Sequence, residues 1–435
     1  MKQRIRKIKG LVAAALLLAA APGPLGAAEY SLGDLCRIAL LQSEKLKVAE
    51  ENLAVSEIGK EKALSYLMPR MTAAAGYTQY SEGKYNGTSV IQSEHTASWS
   101  LRVDETLSLS GRELTALDIA KQNVTKSMHD RAAVREDYIL RYVAAAYYNV
   151  LMARKALDIA EANLERLGRY RNAAEQRLKI GEVTRTVLLR AEGELSGAKS
   201  DRLQARNGLE LAMAVLASNC GIKETFTLKE APAHEGEDAL LESFQKQAVA
   251  LRADLKSLEV QKQMAADQVR FAEGAFWPNL SVFGVYAGAD QKPAPGSLNR
   301  ESIYTGASLN FPFYEGGLRK AEVREAKVRE RQASLYYDDL KKTIEIEVQS
   351  AYLELMTQKG TLKFLNDQMA FARDNYHAVT RQFDFGLSSS LDVLDANTLL
   401  VSAERKVASA LYNVQLALLR MKKTTGSLLT FVGMQ

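Results

Sequence analysis

From Glu113 to Lys179 the chain carries no proline and almost no glycine, and the same holds from Arg319 to Asp384. An α-helix interior excludes proline, which lacks the N–H and collides with the preceding turn. At about 1.5 Å per residue, each stretch makes a helix on the order of 100 Å long. Globular helices average three or four turns, so rods of this length must support one another side by side. The apolar spacing agrees. Val150, Ala153, Leu157, Ala160, Leu164, Leu167, Arg171, Ala174 and Leu178 step by three and four, as do Val393, Ala396, Leu400, Ala403, Val407, Ala410, Val414, Ala417 and Met421. Large and small residues share these seams, which suits close helix–helix contact. The charged and amide residues between them read as solvated helix faces.

The two rods belong to two copies of one unit. Val143-Ala-Ala-Ala-Tyr147 recurs as Val348-Gln-Ser-Ala-Tyr352, Ile180-Gly181 as Phe385-Gly386, and Leu188, Ala191, Leu195 and Ala198 as Val393, Ala396, Leu400 and Ala403, all 205 positions apart. Met68-Pro69 matches Trp277-Pro278 at a spacing of 209, and Gly111 corresponds to Gly316 or Gly317. Such small changes of spacing fall in a polar loop and near a helix start, where indels are tolerated. The chain therefore reads as two structural repeats. The first, 29–219, holds a helix from about Gly33 to Leu67, strands 69–80 and 97–110, a long helix 113–179 and a helix 184–219. A connector at 220–238 contains Pro232 and an acidic cluster. The second repeat, 239–424, holds a helix from about Ala239 to Ala275, strands 278–289 and 302–314, a long helix 319–384 and a helix 389–424. Residues 425–435 form a tail. Ser81–Thr96 and Asp290–Glu301 read as exposed loops.

The strands have two different faces. Trp99, Leu101, Val103, Leu107 and Leu109 alternate with Ser98, Ser100, Arg102, Asp104, Thr106 and Ser108, with Glu105 the one misfit. Ile303, Thr305, Ala307, Leu309, Phe311 and Phe313 alternate with Ser302, Gly306, Ser308 and Asn310. Period two marks a strand apolar on one face and wet on the other. No stretch after the N-terminus reaches the ~18 uninterrupted apolar residues of a membrane helix, so the mature chain enters a membrane only as a β-barrel. Four strands cannot close one, because the smallest have about eight. Unclosed edges in lipid cost several kcal/mol per bare backbone group. Several chains must then share a barrel, two giving eight strands and three giving twelve. Aromatics in or beside the strands, Trp99, Trp277, Tyr77, Tyr80, Phe283, Tyr286, Tyr304, Phe311, Phe313 and Tyr314, suit barrel rims. Glu105 faces lipid by parity or lies below the membrane edge. The competing arrangement is a periplasmic β-sandwich with a packed aromatic core.

Residues 2–9 are basic, Leu11–Ala21 is apolar, Gly23 and Pro24 break the run, and Gly26-Ala27-Ala28 supplies small residues before a cut. Residues 1–28 thus read as a secretory signal peptide, the alternative being a single membrane anchor. Those five N-terminal bases account for the whole formal charge of +5. The remainder is neutral, which removes a nucleic-acid-binding reading. Two cysteines, Cys36 and Cys220, exclude a disulfide-dense scaffold; they are either bridged or free and buried. His95, His129, His234 and His377 are scattered without ligand spacing. No phosphate-binding loop, nucleophile elbow or catalytic triad is present. We expect no enzyme activity, no cofactor and no metal.

The duplicated pattern, the helix-ending Leu67-Met-Pro69 and Phe276-Trp-Pro278, the turn Phe313-Tyr-Glu-Gly-Gly317, and Phe383-Asp-Phe-Gly386 followed by Leu391-Asp-Val-Leu-Asp-Ala396 together resemble the TolC-type outer-membrane efflux proteins. The resemblance covers essentially the whole mature chain. It implies a mainly α protein with a transmembrane β-barrel part: a homotrimeric channel-tunnel embedded in outer-membrane lipid of a Gram-negative bacterium and projecting into the periplasm. It also implies a periplasmic adaptor and an inner-membrane transporter as partners.

The resemblance places Gly181 and Gly386 in the turns at the periplasmic tip, and Asp392 and Asp395 at its constricted, acid-ringed entrance. Asp392 and Asp395 lie one turn apart on one helix face, and three copies of the pair would hold cations there. Ser389-Ser-Leu-Asp392 also reads as a capping box, so Asp392 serves as cap or as pore lining. Val187 and Arg190 occupy the repeat positions of Asp392 and Asp395, and Ser388 stands where the family has a basic residue. Arg185 and Arg190 are the candidate gate partners of the two aspartates. Arg102, Asp104 and Thr106 line the barrel lumen or are ordinary polar inward positions. The functional expectation is an exit duct for efflux or secretion. The rival is a periplasmic coiled-coil adaptor, which has one hairpin rather than a duplicated hairpin with amphipathic strands.

Overall fold

A computed structural model describes residues 28–229, 240–296 and 299–434. The signal segment, up to residue 27, and the connector from residue 230 lie outside the described residues. In chain order the elements are β1 (Ala28–Tyr30), α1 (Leu32–Gln42), α2 (Glu44–Ser65), β2 (Arg70–Gln79), β3 (Lys84–Asn86), β4 (Ser89–Gln92), β5 (His95–Ser108) and α3 (Arg112–Tyr138). A π-helical turn, Ile139–Ala144, carries α3 directly into α4 (Ala145–Lys179), which is followed by α5 (Arg185–Cys220) and β6 (Phe226–Leu228). The second half comprises α6 (Leu241–Leu251), α7 (Ala253–Glu273), β7 (Asn279–Lys292), β8 (Glu301–Asn310), α8 (Leu318–Asp384), α9 (Ser390–Thr424) and the short α10 (Leu428–Phe431).

Each rod starts on a left-handed glycine, Gly111 at φ 70° and Gly317 at φ 88°, a conformation other residues adopt only at a cost. Gly317 is therefore the counterpart of Gly111. The repeat spacing is 206 at the start of the rods, Gly111 to Gly317, and 205 further along, Val143 to Val348, so the first rod is one residue longer. The π turn at 139–144 takes up that residue, as π-bulges do; the equivalent positions 344–349 stay α-helical. Both rods bury the same side chains at this level: Ile139 and Ile344, Val143 and Val348, Ala146 and Ala351, Val150 and Leu355.

The helices expected over 33–67 and 239–275 are each two helices. They break at Ser43 and Arg252, 209 positions apart, both extended with ψ 126°. No proline or glycine marks these breaks, because the backbone ladder survives them. Ser43 N–H donates to Ala39 and its carbonyl accepts from Lys47, while Arg252 N–H donates to Ala248 and its carbonyl accepts from Lys256. One extended residue turns α1 and α6 into the cores, where Leu35, Cys36, Ala39, Phe244 and Ala248 are buried. The main core joins α1, the π turn, the start of α4, the ends of α5 and α9, and the parallel pair β1–β6. Both cysteines lie in it as free thiols, pushed up to about 12 by burial. The tail expected from residue 425 is likewise structured over its described part, to residue 434, with Leu428 of α10 fully buried. The loop expected at 81–96 contains the β3–β4 hairpin, which turns at Gly87.

The four long strands form one antiparallel sheet in the order β2–β5–β7–β8. The β5–β7 pair runs from His95↔Lys292 to Ser108↔Asn279 and joins the two halves. β8 ends at Asn310 rather than 314 because Pro312 follows and cannot donate to the ladder. One face carries Met71, Tyr77, Trp99, Leu101, Val282, Tyr286, Ile303 and Leu309, mostly exposed to solvent in the single chain. The other carries Thr72, Ser98, Ser100, Arg102, Asp104, Ser281 and Ser308. Phe283 and Tyr304, expected among the rim aromatics, stand on this polar face, because Phe283 pairs with Asp104 and Tyr304 with Val285 opposite Arg102. Glu105 lies on the apolar face near the helix-proximal end of β5, with Oε2 buried and unpaired. The outer edges of β2 and β8 have no strand partner among the described residues.

Candidate functional site: the hairpin tips and the polar face of the sheet

The end of the rods opposite the sheet is made of two turns with the same backbone. Gly181 (φ 81°) and Gly386 (φ 73°) are left-handed. In each turn the next N–H closes a six-residue loop onto the helix end, Glu182 to the Arg177 carbonyl at 2.9 Å and Leu387 to the Gln382 carbonyl at 2.8 Å. This is the glycine-dependent stop of an α-helix. Thr184 and Ser389 then start α5 and α9 with nearly equal φ and ψ.

The chemistry of the two tips differs. Ser389 Oγ accepts from Asp392 N–H at 3.2 Å, and the Asp392 carboxylate accepts from Ser389 N–H at 2.8 Å and from the Ser388 hydroxyl at 3.0 Å. The Ser389 side chain and backbone, then Ser388, hold this carboxyl below its ordinary range. Asp392 is thus occupied as a cap. Asp395, one turn further on, is exposed and has no hydrogen bond or ion pair among the described residues. Thr184 makes no side-chain cap. Arg185 and Arg190 are exposed on α5, and within the chain neither pairs with Asp392 or Asp395.

The cross-links between hairpins come from residues that the α4 seam alone does not show. Arg177 Nη1 donates to the Phe383 carbonyl at 2.9 Å, Nη2 reaches the Asp384 carbonyl at 3.2 Å and its carboxylate at 3.4 Å, and the guanidinium lies 4.5 Å from the Phe383 ring centre. Tyr170 packs on Phe383 at 5.8 Å and donates to the Ser390 carbonyl at 3.3 Å. Higher up, the buried Asn397 donates to Asn163 at 2.9 Å and accepts from Arg166 at 3.1 Å; Arg166 also pairs with Glu404 at 3.1 Å. These residues form a second stripe on α4, with Ile159, Asn163, Arg166, Tyr170 and Arg177 spaced by four, three, four and seven. The spacing is that of a packed face, but its polar composition reads as a wet one.

At the other end, Arg102 and Asp104 are joined at 3.1 Å on the polar face of β5. Arg102 also lies 4.8 Å from the Phe283 ring centre. Thr106 bonds Ser281 at 2.8 Å. Among the described residues, no group of His, Cys, Asp and Glu has metal-binding geometry, and no helix is long and apolar enough to cross a membrane.

Comparison with known proteins gives this geometry a context. The family model described as outer membrane efflux protein matches twice, over residues 35–221 and 245–427, one match per repeat. The chain is 25% identical to the outer membrane protein TolC of Escherichia coli K12, over 87% of this chain and 78% of that one. It is 25% identical to the outer membrane efflux protein BepC of Brucella suis, over 96% and 90%. Among solved structures, CusC superposes with a TM-score of 0.80 at 18% identity, covering 94% of this chain and 93% of that one. The open-state MtrE channel of Neisseria gonorrhoeae gives 0.76 at 22%, covering 91% and 89%.

Proposed function

The chain belongs to the outer membrane efflux protein family and is an outer-membrane efflux channel; from its exposed strand edges we propose that it works as a homotrimeric duct. One chain brings four antiparallel strands with free edges at β2 and β8. These two edge strands run in opposite directions, so neighbouring copies join edge to edge without breaking the antiparallel order. Three copies supply twelve strands, enough for a membrane barrel. The apolar face then meets lipid, and the polar face lines the lumen. Three pairs of rods continue the barrel as a tunnel through the periplasm.

The observation that carries this reading is the combination of unpaired strand edges with a broad exposed apolar face: the face is costly in water and favoured in lipid, and in lipid the bare edges must be closed by neighbouring copies. At the tip, Asp395 lines the entrance. Arg185 and Arg190 sit on α5, which packs on α4 and leaves its other side to a neighbouring subunit, where they hold the closed state. Ile180, Phe385 and Leu387 are exposed at the tips and suit docking of a periplasmic adaptor, which links the duct to an inner-membrane transporter. Mass measurement of the detergent-solubilised protein tests the trimer, together with single-channel recording. Three chains per conducting particle support it; a folded, non-conducting monomer refutes it.

A further inference from the structure

The polar face of the sheet is not uniform. Over most of its height it carries small uncharged side chains such as Ala74, Gly76, Ser98, Ser100, Ala287 and Ser302. Its only charged residues in paired positions are Arg70, Arg102 and Asp104, and its only aromatics are Phe283 and Tyr304. All five lie on two adjacent rungs. The register puts Arg70, Asp104 and Phe283 on one rung, with Arg102 and Tyr304 on the next. Same-face rungs are about 7 Å apart, so the cluster is a narrow band near the helix-proximal end of the strands.

The band is built rather than accidental. Gly306 lies opposite Phe283, and a Cβ there would come within 2.6 Å of the ring, so the missing side chain makes room for it. Tyr304 meets Phe283 edge-on at 6.5 Å. Arg102 is held by Asp104 at 3.1 Å and stacks over Phe283 at 4.8 Å. Arg70 has no ion pair among the described residues. Two cations against one anion leave each chain with a net positive charge at this level, beside a partly exposed aromatic pair.

We propose that this band is a cargo-recognition site in the lumen that favours planar aromatic anions. The inference rests on the trimeric-duct reading, which brings three copies of the band around one passage. An aromatic ring in the cargo stacks on Phe283 and Tyr304, and its anionic group meets Arg70 and the outward edge of the Arg102 guanidinium. The uncharged face above the band offers no competing site.

The test is current block in planar bilayers, with 2-naphthalenesulfonate added on the side of the β3–β4 hairpin. Methanesulfonate serves as the charge-matched, non-aromatic control. The wild-type channel is expected to be blocked by the aromatic anion and not by the control. Phe283→Ala and Arg102→Gln are each expected to raise the half-blocking concentration about fivefold or more. Two different substitutions keep the test decisive should one fail to assemble. Conducting wild-type channels that the aromatic anion does not block, or variants that conduct with unchanged block, overturn the proposal. Absence of conducting insertions from the wild type instead refutes the duct reading on which it rests.

Discussion

Arg177 of the first hairpin holds Phe383 of the second by both its main chain and its ring, at 2.9 Å to the carbonyl and 4.5 Å to the ring centre. The guanidinium is only 20% exposed, so the contact is a partly desolvated, charge-assisted one rather than a loose surface pair. It fixes the end of α8 against the end of α4 at the turn that a channel entrance must move. Arg177→Ala removes hydrogen bonds that contribute about 1.5–3 kcal/mol when one partner is charged. The expected result is a higher open probability or conductance in planar bilayers, by about tenfold or more. Arg177→Lys keeps the charge but loses the planar stacking and the fork, and is expected to fall between the two. Unchanged closed-state current in Arg177→Ala would show that this contact does not hold the entrance shut.

The two aspartates of α9 separate by what they already do. Asp392 commits one carboxylate oxygen, Oδ2, to Ser388 and Ser389, whereas Asp395 has neither oxygen engaged among the described residues. Asp395→Asn is therefore expected to reduce cation over anion permeability more than Asp392→Asn, measured as reversal potential under a salt gradient. Asp392→Ala is expected to loosen the first turn of α9 instead, read as faster amide exchange at residues 390–393. Equal selectivity changes in the two Asn variants would place Asp392 in the pore as well.

Much of this architecture was readable before any coordinates, because it follows from patterns that physics makes obligatory. Gly181 and Gly386 stand out because left-handed turns need them. The α9 seam from Val393 to Met421 stands out because a helix packed on two neighbours repeats by three and four. The strand faces show by parity alone. What escaped is what costs the backbone little or hides in composition. Ser43 and Arg252 bend their helices without losing the ladder, so no breaker residue advertises the bend. The π turn at Ile139–Ala144 shows only as a one-residue slip in repeat spacing. Residue type alone groups Phe283 and Tyr304 with the rim aromatics; the register that separates them comes only from the pairing with β5 and β8. Asn163, Arg166 and Arg177 are polar at core spacing, and a single sequence favours the solvated reading of such a stripe.

The Asn163–Asn397 pair inside the hairpin interface gives a test of that polar stripe. Both residues are less than a tenth exposed, and Arg166 completes the set. Asn397→Leu leaves the buried Asn163 amide without its partner and takes one of the bonds of the part-buried Arg166, and is expected to cost about 1–3 kcal/mol, by the penalty for an unsatisfied buried group. The double variant Asn163→Leu with Asn397→Leu is expected to recover part of the loss, since both amides go. Thermal unfolding of the detergent-solubilised channel reads both. Equal losses in the single and double variants would show that the amides are not coupled.

Glu136, just before the π turn, gives the chain a stability that depends on pH. It is 8% exposed, and burial pushes its carboxyl up to about 7, against the partial compensation of Lys423 and Arg252; Asp254 nearby adds to the rise. An unfolded glutamate titrates near its ordinary value of 4.5. Between that value and about 7 the native chain holds more protons than the unfolded one, so stability falls as pH rises through this window and levels off above it. Its neutral amide isostere has no proton to lose. Glu136→Gln is therefore expected to match the wild type near pH 5 and to be more stable near pH 8, by on the order of 2 kcal/mol. Thermal unfolding at the two pH values checks the sign. A Glu136→Gln channel that loses as much stability on alkalinisation as the wild type would assign the dependence to another group.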